Sequence, residues 1–305
     1  MVHREARKSK TLVILVTLGV FILSFAFTFF VFKFLSANLK EDEPEIDTQI
    51  SGIEDFKEPE IIIKKVDFQP IINQWVDTTG GKKGIAIYDL DLDEIVGEYN
   101  IDTKFQTASL YKLFVVYEGY RKIQNGEWDK DAKAGSTGKT IAKCLDLAIR
   151  ESHSPCAETL WGMIGRDALD EAVNNDFGIT NFTVGSLSAT PREIMQMMKI
   201  YYDHKEITDS ELVSVMQDSF LNQPKTTYDW RQGLPSGFSD AVLAYNKVGW
   251  EHDGKQWKIY DDAAILDFIK LNRCFIMVVM TNNVAYQQIS NFGSMIENLV
   301  SAEEL

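Results

Sequence analysis

A serine and a lysine three residues apart, Ser109-Leu110-Tyr111-Lys112, are the residue types of a nucleophile and its base, because that spacing puts both on one face of a helix. A serine hydroxyl is a weak nucleophile, and a buried amine with another cation nearby has its pKa lowered enough to take the proton. If the segment opens a helix, its backbone N–H groups also favour a developing oxyanion. The tetrapeptide alone is not specific, since Ser136 to Lys139 repeats it. Two later segments add polar groups: Ser152-His153-Ser154 falls between two helical patterns, the second starting at Pro155, and Lys247-Val248-Gly249 closes a β-type run. The stretch Gly135 to Thr140, GSTGKT, resembles a phosphate-binding loop but fails on spacing. Such a loop needs glycine at 133, where Lys133 stands, and no buried strand precedes it. It reads as a loop with Thr140 near a helix cap.

The elements that must position these groups follow from periodicity. Pro70 opens a short amphipathic helix through Ile71, Ile72, Trp75 and Val76, which Gly80 and Gly81 end. Ile85, Ile87 and Val96 alternate about a polar turn at Asp91 to Glu94, which predicts a two-stranded hairpin. From Lys104 to about Phe220 the period is helical, predicting helices near 109–123 and 140–151, two shorter ones to about 174, one over 191–202 and one from Asp209. β-type runs return at 241–248, 257–266 and 274–281, and a last helix fills 286–300. This order predicts an α/β (α+β) domain: one five-stranded antiparallel sheet flanked by terminal helices, its two halves separated by an inserted all-α region of about 104–225.

Composition narrows the function classes. Across 305 residues, 31 basic and 45 acidic side chains give a net charge of -14, which repels phosphate and argues against nucleic-acid binding. A hydrophobic fraction of 45% is too high for a disordered chain, and a mean hydropathy of -0.15 is too low for a multi-span transporter. With three cysteines, no C-x-x-C and no paired histidines, neither a metal site nor a cofactor is expected. Cys144 and Cys156 flank the Ser-x-Ser segment and are expected as free, helix-buried thiols rather than a pair. His153 is expected as an exposed loop residue, His204 and His252 as surface residues, and Tyr111, Trp161, Trp250 and Trp257 as core or cleft wall.

The charge is also unevenly placed, with a basic first segment followed by an uncharged run over 12–32 and then nine acids within 38–60. At about 1.5 Å per residue the run spans a hydrocarbon core as a helix, and the flanking charges place the N-terminus in the cytoplasm. A cleaved signal peptide is the competing reading, but the run is longer than its usual apolar region and the small-residue site near Ser36 and Ala37 is poor. The expected organisation is a cytoplasmic basic segment 1–11, a transmembrane helix 12–35 in the cell membrane, an acidic linker 36–65, and an extracytoplasmic domain 66–305.

The three polar motifs in this order, on a helix, an interhelical loop and a strand, resemble S-x-x-K, S-x-N and K-[TS]-G of the serine beta-lactamase and penicillin-binding-protein family, nearest its class A-like branch. IAIYDL before the hairpin, FQTASLYKL, the ATPRE helix start at 189–193 and DDAAIL extend the resemblance over about 68–300. It implies Ser109 as the acylated nucleophile, Lys112 as its base and Ser152 as the hydroxyl relaying a proton to the leaving nitrogen. It further implies Ser154, Lys247, Gly249 and Trp250 as substrate-binding, with the backbone N–H groups of Ser109 and Trp250 as the oxyanion hole. The implied substrate is a small molecule or cell-wall peptide. Three departures stand out: Ser154 replaces asparagine, Val248 replaces a hydroxyl, and the loop 178–192, GITNFTVGSLSATPR, lacks the glutamate that activates the deacylating water in class A enzymes. Slow deacylation is therefore expected, with Glu158 the one nearby acid available to substitute.

Overall fold

A computed structural model describes residues 63–302 apart from 181, 205, 226, 253 and 255. The expected membrane span, and nearly all of the acidic linker, lie outside the described residues. Among those described, no helix is long and apolar enough to cross a membrane.

Helix α1 (Gln69–Thr78) leads into strands β1 (Lys82–Asp89) and β2 (Glu94–Tyr99). A short β3 (Phe105–Gln106) precedes the helical region: α2 (Lys112–Gln124), α3 (Ile141–Arg150), α4 (Ser154–Ile164), α5 (Arg166–Asn175), α6 (Pro191–Asp203) and α7 (Ser210–Leu221), with β4 (Ser188–Ala189) just before α6. Strands β5 (Val242–His252), β6 (Trp257–Phe268) and β7 (Arg273–Asn282) and helix α8 (Tyr286–Ala302) complete the chain. The five long strands form one antiparallel sheet in the order β2-β1-β7-β6-β5, so β5 is an edge strand.

The sheet is buried on both faces, and its residues alternate between two apolar layers. On one face α1 and α8 pack over Ile85, Ile87, Met277 and Val279. Trp75 stacks on Phe292 at 4.6 Å, and its indole N–H donates to the Gln288 carbonyl at 2.8 Å. On the other face lies the helical region, centred on α2, which is buried from Lys112 through Tyr120. A helix buried on every side lies in the interior, and this one carries Lys112 and Glu118 in with its apolar residues. Helix α6 starts where ATPRE predicts, with Thr190 and Glu193 forming a capping box and Pro191 in the first turn. Thr140 caps α3 by accepting from the Lys143 N–H, so the GSTGKT stretch is a loop and cap.

Three expectations need correcting. The helical region is not all-α: β3 pairs with β4 as a two-stranded ribbon, too short to leave a periodic signal. Cys144 and Cys156 are not free thiols but a disulfide, with Cα atoms 4.9 Å apart; the packing of α3 on α4 brings them together. Ser109 does not open the α-helix; it lies in a 3-10 turn, Ala108–Tyr111, that runs into α2 at Lys112.

Candidate active site

The turn carrying Ser109 is held in place on two sides. The Thr107 N–H donates to the Leu187 carbonyl at 2.8 Å, tying it to the loop before β4. On the other side, β5 approaches so closely that a Cβ added to Gly249 would overlap the Thr107 carbonyl and lie 3.0 Å from Leu110 Cγ and 3.3 Å from Asp261 Cβ. The glycine thus admits the Ser109 turn to the strand. Ala108 has φ +42° and Ser152 φ +53°. Left-handed backbone in non-glycine residues costs free energy, and it occurs here beside Ser109 and at the second motif.

Lys112, fully buried, is the hub. Its Nζ lies 3.0 Å from Ser109 Oγ, 3.0 Å from Ser154 Oγ, 3.3 Å from Ser152 Oγ and 2.5 Å from the Ser152 carbonyl oxygen. An ammonium has three protons for these four oxygens, and a neutral amine has two and a lone pair; the neutral form can accept the Ser109 proton while still donating to two of the others. Burial lowers the Lys112 pKa to about 8, with the Glu158 carboxylate pulling weakly the other way. Lys247, also buried, donates to Ser152 Oγ at 3.0 Å and to the Val248 carbonyl at 2.7 Å. Burial and then the Lys112 charge hold its pKa well below the ordinary lysine value, against the pull of Asp262. Asp262 itself is pushed up to about 7 by burial, although it accepts from Asn246 Nδ2 at 3.0 Å and from the Leu234 N–H at 2.8 Å. Ser152 Oγ therefore bridges the two amines, which makes a continuous proton path from Ser109 through Lys112 to Ser152 and Lys247.

The structure thus brings together Ser109, Lys112, Ser152, Ser154 and Lys247 from a 3-10 turn, α2, the α3–α4 loop, α4 and β5. The remaining candidates are placed differently. The Trp250 ring stacks on Tyr286 of α8 at 5.8 Å, on the far face of the sheet, so its side chain is turned away from the serine–lysine cluster. Val248 is buried. His153 is neither a plain loop residue nor aimed at the hub: as N-cap of α4, its Nδ1 accepts from the Cys156 N–H at 3.1 Å. The Cys144–Cys156 disulfide ties α3 to α4 on either side of Ser152, so cap and cross-link together fix the loop that carries the bridging hydroxyl.

Glu158 is one turn beyond Ser154 and exposed, and Trp161 a further turn on packs against Tyr111 at 5.3 Å. Positions 154, 158 and 161 share one face of α4, which puts Glu158 on the Lys112 side. The loop 178–190 brings no carboxylate of its own. The nearby acid Asp170 accepts from the Val184 N–H at 2.8 Å and Asn174 binds the Phe182 backbone, so both are used in holding the loop's shape. Sequence reasoning missed the strained residues, because Ala108 and Ser152 are not types that mark left-handed backbone, and the His153 cap, because histidine is not a usual capping residue.

The profile of the beta-lactamase enzyme family matches residues 67–300. Among solved structures, a class A beta-lactamase from Bacteroides cellulosilyticus is similar at 15% identity with a TM-score of 0.65, over 76% of this chain and 97% of the other. A beta lactamase from Xanthomonas campestris pv. campestris aligns at 12% identity and TM-score 0.64, over 76% and 97%. The class A beta-lactamase of the last common ancestor of Gram-negative bacteria aligns at 15% and 0.64, over 77% and 99%. At these identities the likeness is one of fold. Comparison with curated proteins gives no match.

Proposed function

The chain belongs to the beta-lactamase enzyme family, and from that premise we propose that it is an extracytoplasmic serine hydrolase that acylates Ser109 with an amide or lactam, on cell-wall peptide in the manner of a carboxypeptidase or transpeptidase. The observation that carries this reading is the buried Lys112 amine, 3.0 Å from the Ser109 hydroxyl and with its pKa lowered to about 8. Ser109 Oγ attacks the carbonyl carbon as Lys112 Nζ takes its proton. The backbone N–H groups of Ser109 and Trp250 receive the negative oxygen. The proton passes through Ser152 Oγ to the leaving nitrogen as the C–N bond breaks, leaving an ester on Ser109. Lys247 supports this relay and attracts a substrate carboxylate, and the free edge of β5 suits an extended substrate that pairs with it as an added strand.

Release of the ester is the slow step in this reading. General-base help to the attacking water is worth about 10² to 10⁴ in rate, and the loop 178–192 has no acid to give it. The uncharged run over 12–32 anchors the chain in the cell membrane with its N-terminus inside. The disulfide supports an extracytoplasmic domain, since such bonds persist in oxidising compartments.

The test is a time-resolved intact-mass spectrum of the protein with a fluorescent penicillin. A long-lived adduct on the wild type and none on Ser109→Ala is the expected result. Equal labelling of both proteins overturns the nucleophile, and turnover of many lactams per second makes the protein an efficient beta-lactamase instead. Saturable muropeptide binding with no turnover, unchanged by Ser109→Ala, would leave a binding module.

A further inference from the structure

On the same face of the sheet as Lys247, two residues back along β5, a cavity of about 200 Å³ opens between the end of α6, helix α7 and strands β5 to β7. It is separate from the serine–lysine cluster and takes no part in the proton path. Its walls are largely apolar and aromatic, with Tyr202, Tyr245, Phe220 and Met216 among them. Two polar groups in it lack partners. The Asp267 carboxylate is half-buried and makes no hydrogen bond or ion pair with any described residue. His204 has a buried Nδ1 with no hydrogen-bond partner, while its Nε2 lies 3.2 Å from Gln217 Nε2.

Asp267 is the one acidic side chain among the described residues lining this cavity. No described residue lining it is a lysine or arginine. The hydroxyl of Tyr202 and that of Tyr245 are pushed up by burial and then by acid groups that include Asp267. Burial, followed by Asp267 and Asp91, pushes the Cys274 thiol to about 12, so it stays protonated and offers no competing anion. Burial also lowers the His204 pKa, which leaves its ring neutral; with Nε2 accepting from the Gln217 amide, the one ring N–H is at Nδ1.

A carboxylate with no counter-ion among the described residues, set among aromatic rings, is complementary to an organic cation. Aromatic faces receive N-methyl groups without requiring hydrogen-bond acceptors, which favours an alkylated ammonium. The unpartnered His204 Nδ1–H calls for one acceptor elsewhere on the ligand. We propose that this cavity is a binding site for a small quaternary ammonium alcohol, its cationic head between Asp267 and the tyrosine rings and its hydroxyl oxygen accepting from His204 Nδ1–H. A phosphate ester of the same alcohol brings an anion into an acidic surrounding and is excluded.

Isothermal titration of the full-length protein with choline chloride tests the site, alongside 3,3-dimethylbutanol, its uncharged isostere, and phosphocholine. Saturable binding of choline is expected, with the isostere and phosphocholine each weaker by about tenfold or more. Asp267→Asn and, separately, Tyr202→Ala weaken choline by about the same factor, each checked for folding by circular dichroism. Absence of saturable choline binding at 10 mM, on the order of ten times the weakest specific affinity considered, overturns the proposal. So does isostere binding as tight as choline, or choline affinity unchanged in both folded variants. Tighter binding of phosphocholine than of choline would overturn the free alcohol as ligand and indicate a phospholipid headgroup.

Discussion

The burial of Lys112 sets how acylation of Ser109 depends on pH. With a pKa of about 8 against an ordinary 10.5, roughly one molecule in ten holds the amine neutral at pH 7, where an unperturbed lysine would be neutral in roughly one of three thousand. Because the folded-state pKa is lowered, the inactive ammonium form dominates below it and the base form above it. The second-order acylation rate therefore rises about tenfold per pH unit below pH 8 and levels off above. Conformational stability follows the same group: between about pH 8 and 10.5 the unfolded chain holds the proton that the folded chain has lost, so this lysine's contribution to stability improves as pH rises through that window. Stopped-flow fluorescence with a reporter penicillin between pH 5.5 and 9.5 measures the profile. Lys112→Arg keeps a cation that cannot titrate in this range and should lower the rate at pH 8 by about 10² to 10⁴. A rate that is flat from pH 6 to 9, or an arginine variant within about threefold of wild type, would refute the assignment of Lys112 as the base.

Gly249→Ala puts a methyl group into the Thr107 carbonyl and against Leu110; it should cost about 1–3 kcal/mol and, by moving β5 from the Ser109 turn, reduce acylation by about 10² to 10³. Urea unfolding and the acylation assay read the two effects, and wild-type values in both would show that the close approach is unimportant. Reduction of Cys144–Cys156, which closes a loop with sequence separation 12, should remove about 3 kcal/mol and lower Tm by about 5–10 °C. An unchanged calorimetric Tm in the Cys144→Ser, Cys156→Ser double variant would count against a structural bond. Glu158→Gln should change the lifetime of the acyl-enzyme by less than about threefold, because an exposed carboxylate beside Ser154 is not fixed on the water; a lifetime lengthened by about 10² would identify it as the base after all.

Much of this protein was legible because its signals are local. Alternation around Asp91 to Glu94, the Pro191 start with Thr190 and Glu193, and the three late β-type runs each depend on residues within one element, and each element formed within a few residues of its expected bounds. The serine, the lysine and their spacing were equally legible, as was the missing loop acid, since the order of motifs along the chain is itself a sequence property.

What the sequence left open was decided by contacts between elements distant along the chain. Nothing near Ser109 foretells that Lys112 will meet Ser154 from α4, or that Lys247 will reach Ser152 from β5. The lowered amine pKa arises from burial under the whole helical region. The same reason explains the misjudged features. The β3–β4 ribbon is two residues long on each side and needs its partner to exist at all. The cysteines pair because α3 packs on α4. Periodicity and motif order depend on neighbours in sequence and determine the elements; proton affinity, strain and close approach depend on neighbours in space, and only the packed tertiary structure supplies them.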